Sequence, residues 1–160
     1  MVAPRPEESG PAGSLPRELH IRFLGREDMP ELLTVWKASG LHIRPAGRER
    51  PDRLAAELAE YPRNFLGAFE RGAMVGACIA TWDGRRGWIN RLGVIPARRR
   101  TGVAQRLVQA AEAELRSRGA QVIGALVEPE NSASLALFNR LGYRDVPSAV
   151  YLSKRDDPDV

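Results

Sequence analysis

The sequence predicts an α/β (α+β) domain: a mixed, mostly antiparallel sheet that contains one parallel strand pair and carries about four helices. Three observations carry this. Three β-favouring runs, Asn64–Phe69, Met74–Trp82 and Gly87–Val94, are joined by short polar turns, as in an antiparallel meander. The third run enters a helix-patterned segment and then the nearly continuous apolar run Gln121–Val127, a strand-helix-strand order that returns parallel and right-handed. Amphipathic helical stretches precede the meander and follow the apolar run.

Taken in order, Met1–Arg17 combines four prolines with charge and little apolar character, the composition of a disordered tail. The domain is expected over residues 18–155, with an acidic tail at 156–160. His20–Leu24 alternates like an edge strand. Glu27 and Asp28 open a helix whose apolar face is Leu32, Leu33, Val35 and Trp36; Pro30 fits its first turn and Gly40 ends it. Leu41–Pro51 is a proline- and glycine-punctuated loop with His42, Arg44, Arg48 and Arg50, followed by Arg53 in a short helix that runs to about Glu60.

In the third strand Trp88, Asn90, Leu92 and Val94 alternate with Ile89, Arg91 and Gly93. After the turn, Val103, Leu107, Ala111 and Leu115 recur every four residues, and Gly119 stops the helix. The apolar run at 121–127 reads as a strand covered on both faces. Ser132 is placed as the N-cap of a helix bearing Leu135, Leu137, Phe138 and Leu141, closed by Gly142. Val150 and Leu152 alternate as a last strand.

A chain of 160 residues, 43% apolar and 28% charged, makes one ordinary domain. No apolar run reaches the roughly 20 residues of a membrane span, and the first residues lack the apolar core of a signal peptide, so the expected location is cytoplasmic. Cys78 is the single cysteine and sits in an apolar run, which reads as packing. The net charge is +4, but Lys37 and Lys154 are the only lysines among 24 basic residues. Such an arginine bias reads as codon composition, and it argues against a nucleic-acid partner. His42 has no companion at metal-ligand spacing, so no metal is expected.

The chemistry concentrates in Gly87–Leu115. Arg99-Arg100-Thr101-Gly102-Val103-Ala104 places positive charge, a hydroxyl and a glycine where a helix must begin. The first helical turn has unpaired N–H groups and the positive end of the dipole, so it can hold an anion, and Arg98, Arg99 and Arg100 add charge-assisted bonds to phosphate oxygens. The glycines fit neither the Walker P-loop nor the dinucleotide G-x-G-x-x-G pattern.

Val94-Ile95-Pro96 followed by Arg99-x-x-Gly102-x-Ala104 resembles the acetyl-CoA motif R/Q-x-x-G-x-G/A of the GNAT superfamily of N-acetyltransferases. Asn131-x-x-Ser134-x-x-x-Phe138-x-x-x-Gly142-Tyr143 is similar to that family's second motif, N-x-x-A-x-x-x-Y-x-x-x-G-F. The resemblance spans about Leu19–Lys154. It implies acetyl-CoA as co-substrate, a splayed parallel strand pair, and the pyrophosphate held on the backbone of Arg99, Arg100, Thr101, Gly102, Val103 and Ala104. Leu92, Gly93 and Val94 would run along the pantetheine arm, with the Val94 N–H at the acetyl carbonyl. Asn131 would bond the pantetheine or assist the acceptor side, and Phe138 would pack on the cofactor or the core.

The family's usual thiolate-protonating tyrosine is Phe138 here, which has no proton to give. For the general base, Glu128 and Glu130 follow the buried strand at its carboxyl end, where α/β sites lie; Glu128 is preferred. The expected acceptor is an amine of a small molecule or a peptide, chosen by Leu41–Pro51 and Arg144–Ala149, and a homodimer is expected by family analogy alone. The alternative is a CoA-binding regulatory module with weak or lost catalysis.

Overall fold

The computed structural model describes residues 18–156; the expected tails at 1–17 and, beyond Asp156, at 157–160 lie outside the described residues. The chain forms β1 (Leu19–Phe23), α1 (Met29–Ala38), α2 (Pro51–Glu60), β2 (Phe65–Glu70), β3 (Ala73–Trp82), β4 (Gly87–Val94), α3 (Val103–Ser117), β5 (Ile123–Ala125) and α4 (Ser132–Arg140). The strands lie in the order β1-β2-β3-β4-β5, with β4 and β5 parallel and the other pairs antiparallel.

The β2–β3 connection is a two-residue turn. Glu70 pairs with Ala73, and Arg71 and Gly72 alone make the turn, both at positive φ, the geometry whose twist matches the flanking strands. Helices cover both faces of the sheet. Leu66, Ala68, Val75, Cys78 and Ile89 pack with Val103, Leu107 and Leu115 of α3 and with Leu137 and Phe138 of α4. Phe65, Phe69, Met74 and Ala77 pack on the other face with Leu32, Val35 and Trp36 of α1 and Leu54 and Leu58 of α2. This two-sided burial is why β2 and β3 read as almost unbroken apolar runs. Cys78 is fully buried, and burial pushes its thiol up to about 12, which agrees with a packing role.

Three local expectations change. The strand at 121–127 shrinks to three half-buried residues, with Val122 and Leu126 exposed, and it ends the described sheet. The N-cap of α4 is Asn131, whose Oδ1 accepts from Ser134 N–H at 3.1 Å, and Ser132 is already the first helical residue. Val150 and Leu152 form no strand and are 80% and 86% exposed; their alternation found no partner edge among the described residues.

Candidate active site

Strand β4 is interrupted where the simple alternation predicts regularity. Ile79 pairs with Asn90 but Ala77 pairs with Gly93, so Arg91 and Leu92 together face the single residue Cys78. Arg91 takes φ +53°, and the strand bulges there. Beyond the bulge the ladder resumes: Gly76 lies opposite Val94, and Ile95 N–H donates to Val75 O at 3.0 Å. Hydrogen bonding alternates along an antiparallel strand, so if Ile95 points toward β3, the buried Val94 N–H points away from it, toward β5. The β4–β5 ladder stops at Ile89 and Ala125, well short of Val94. The two parallel strands thus part before Leu92–Val94, and the Val94 N–H faces the gap without a strand partner among the described residues.

After Val94, a 3-10 turn at Pro96–Arg98 leads to α3. The three arginines behave differently. Arg98 pairs with Glu70 Oε2 at 2.6 Å, so its expected phosphate role is corrected: its charge is spent on fastening the turn to β2. Arg99 Nη2 donates to Ser39 O at 3.0 Å and ties the turn to the end of α1. Arg100 is exposed, at φ +61°. Thr101 Oγ1 donates to Arg98 O at 2.7 Å, bracing the turn.

Gly102 is the N-cap of α3 at φ +87°, and a Cβ placed there would meet nothing within 4 Å. Its glycine is required by the left-handed backbone, while the protein itself leaves the approach open. Arg106 N–H already bonds Gly102 O at 3.0 Å, so the N–H groups of Val103, Ala104 and Gln105 are the ones that α3 leaves unpaired at its start.

On the other side of the gap, Glu128, Pro129 and Glu130 follow β5 in an exposed turn closed by Asn131 N–H to Glu128 O at 2.9 Å. The parallel register puts this turn at the same end of the sheet as Leu92–Val94. Asn131 is occupied through Oδ1 as a helix cap, which leaves its amide N–H groups for other partners. Phe138 is 6% exposed and meets Tyr143 edge to face, centroids 4.9 Å apart. Tyr143 Oη donates to Glu112 Oε1 of α3 at 2.8 Å, and burial together with that carboxylate raises its phenol well above the ordinary range.

Residues 28–143 match the Acetyltransferase (GNAT) family. The chain belongs to the GNAT acetyltransferase family. It is 32% identical to Acetyltransferase SG1711 of Sodalis glossinidius over 137 residues, 86% of this chain and 95% of that one. It is 31% identical to Acetyltransferase ECA0875 of Pectobacterium atrosepticum over the same shares. Among solved structures, the PaiA N-acetyltransferase of Thermoplasma acidophilum in complex with coenzyme A superposes with a TM-score of 0.71 at 20% identity, covering 79% of this chain and 90% of that one. The AAC(6')-Iy structure in complex with a bisubstrate analogue reaches 0.69 at 18% identity, covering 86% and 99%. These structural likenesses bear on the fold.

As a GNAT acetyltransferase the chain uses acetyl-CoA as its acyl donor. The residues present suit that co-substrate. Unpaired N–H groups and an open Gly102 stand where a pyrophosphate needs donors, and the gap beside Val94 leaves backbone for an amide-bearing arm.

Next to the β4 bulge, the loop between α1 and α2 holds a buried charged cluster that the sequence did not reveal. Glu49, in the loop between α1 and α2, is 4% exposed. Its carboxylate accepts from Arg44 N–H at 2.9 Å and Arg48 Nε at 3.0 Å, and pairs with Arg91 from the β4 bulge. Arg91 also donates to His42 O at 2.8 Å and stacks over Trp36. Burial lowers the Arg91 guanidinium to about 10, with repulsion from Arg48 and Arg44 adding to it. The one sequence signal was an arginine set among apolar strand residues.

Proposed function

We propose that the chain transfers acetyl directly from acetyl-CoA to a primary amine, of a small molecule or of a peptide or protein N-terminus, within a ternary complex. The observation that carries this reading is the Val94 N–H, facing the strand gap beside the start of α3. The amine nitrogen attacks the thioester carbonyl carbon, and the developing oxyanion accepts a hydrogen bond from Val94 N–H. Preorganised donors of this kind are worth roughly 3–4 kcal/mol elsewhere. Collapse breaks the carbon–sulfur bond and releases the CoA thiolate.

An alkyl ammonium titrates near ~10, so the attacking amine must lose a proton. Glu128 takes it in this reading, directly or through a water, with Glu130 as the neighbouring carboxylate; both follow β5 at its carboxyl end, across the gap from Val94. Asn131 donates from its amide N–H groups to the pantetheine arm. Leu92 and Gly93 flank the arm along β4, and Arg99, Arg100, Thr101, Val103 and Ala104 surround the pyrophosphate.

Phe138 offers no proton, and a thiolate of pKa around 8.5 leaves without one. That residue also supports the second reading, a CoA-binding regulatory module. Release of free thiol from acetyl-CoA with a panel of primary amines separates the two. Glu128→Gln is expected to lower kcat by about 10²-fold or more and to remove the rise along the acidic limb of its pH profile. An unchanged rate and profile would transfer the role to Glu130 or to solvent, and CoA binding without turnover for any amine would favour the regulatory module.

A further inference from the structure

A cavity of about 510 Å³ lies between α1 and the loop that follows it. Leu33, Leu41, Ile43 and Pro45 give it apolar walls, and Lys37 and His42 bring cationic and titratable groups to them. It adjoins the strand that carries Val94. A Cβ built on Gly93 would collide with Ser39 Oγ and come within 3.1 Å of Leu41 Cδ1, so the residues at the cavity's lip rest directly on β4. Arg91 clamps the same loop to the same strand through Glu49 and the His42 carbonyl.

The charges around this cavity are one-sided. Among the described residues Glu49 is the one acidic residue lining it, and that carboxylate already serves Arg91, Arg48 and a backbone N–H. Lys37 lines the cavity with no ion pair among the described residues. A polycationic acceptor would need free carboxylates and would meet like charge, which costs binding and opposes approach. An acceptor with its own carboxylate would meet Lys37, while its apolar part filled the Leu33–Ile43 wall.

We propose that this cavity is the acceptor site and selects an amine that also bears a carboxylate beside an apolar side chain, with Lys37 as the carboxylate's partner. The inference rests on the amine acetylation proposed above and adds the acceptor's class. It is consistent with the cavity's position: the apolar wall and Lys37 belong to α1 and its following loop, and the lip touches Gly93, next to the proposed oxyanion donor.

Two probe pairs test it: leucine against leucinamide, and leucylglycine against leucylglycinamide, each read by thiol release from acetyl-CoA, with spermidine and kanamycin as polycationic controls. The carboxylate member of at least one pair is expected to exceed its amide in kcat/KM by about tenfold or more. Lys37→Ala should raise the KM of that member about tenfold and its amide's less than twofold. In parallel, N-acetyl-leucine and N-acetyl-leucylglycine, with their amides, are titrated calorimetrically into the CoA-loaded protein. Preference for an amide or a polycation, or a Lys37→Ala effect equal on acid and amide, overturns the inference and leaves amine acetylation standing. Carboxylate-dependent binding without turnover supports the site while overturning the acetylation reading. Neither binding nor turnover by any carboxylate probe overturns the site.

Discussion

Arg98 lies in the arginine turn yet turns back to Glu70 at the end of β2, Nη2 to Oε2 at 2.6 Å, with both side chains largely shielded from solvent. Three adjacent arginines therefore divide their work: one fastens the turn, one holds Ser39 O, and Arg100 remains exposed on the turn. Arg98→Ala is expected to cost about 1–3 kcal/mol in urea unfolding and to leave the Kd for CoA within about twofold. Arg100→Ala should do the reverse, weakening CoA about tenfold by calorimetry with little change in unfolding midpoint. Equal loss of CoA affinity in both variants would contradict this division.

Gly102 gives a cleaner separation of backbone and ligand effects. A Cβ there meets no protein atom, so Gly102→Ala carries the cost of the left-handed backbone alone, about 1–2 kcal/mol. For a chain of this length that corresponds to a fall in Tm of roughly 2–8 °C. CoA should lose its usual stabilising shift in the same variant, because the new methyl group projects into the open approach to the α3 N–H groups. An unchanged Tm would show that the turn relaxes to another conformation.

The sheet was legible because its signals are local. Meander spacing, the two-sided apolar runs of β2 and β3 and the helix-long insertion before β5 each follow from burial acting on neighbouring residues. The arginine turn and the start of α3 were legible for the same reason, since charge, glycine and helix start are contiguous. The bulge at Arg91 was not, because nothing in an arginine announces φ +53°; it is held by Glu49 and Trp36, both distant in sequence. Val150 and Leu152 show the converse failure: alternation describes a strand's faces but supplies no edge to pair with.

Tyr143 is the aromatic closest in sequence to the missing acid at Phe138, and its hydroxyl is bound to Glu112 of α3 at 2.8 Å. Raised above the ordinary phenol range by burial and that carboxylate, it stays protonated through the working pH range as a structural donor. Tyr143→Phe should therefore leave the pH profile of acetyl transfer in place and lower stability by about 1 kcal/mol, measured by urea unfolding. Loss of the profile's alkaline limb with little change in stability would instead identify Tyr143 as the proton donor to the thiolate.

Glu114 provides one pH-dependent contribution to stability. It is 7% exposed on α3, and its oxygens receive Arg63 Nη2 at 2.6 Å and Arg118 Nε at 2.7 Å. Burial pushes its carboxyl up, but the two guanidiniums outweigh burial and hold it below the ordinary 4.5. A carboxylate whose folded pKa lies below its unfolded value stabilises the fold fully above the unfolded value, and that stabilisation disappears as pH falls through the folded one. Glu114→Gln should thus cost about 1–3 kcal/mol at pH 7, reduced from a fully buried pair because Arg63 is well exposed. Between pH 7 and about pH 5 the difference from the parent chain should stay level; below pH 4.5 it should shrink steadily. A difference independent of pH down to 3 would mean that Glu114 acts through shape and neutral hydrogen bonding instead of through its charge.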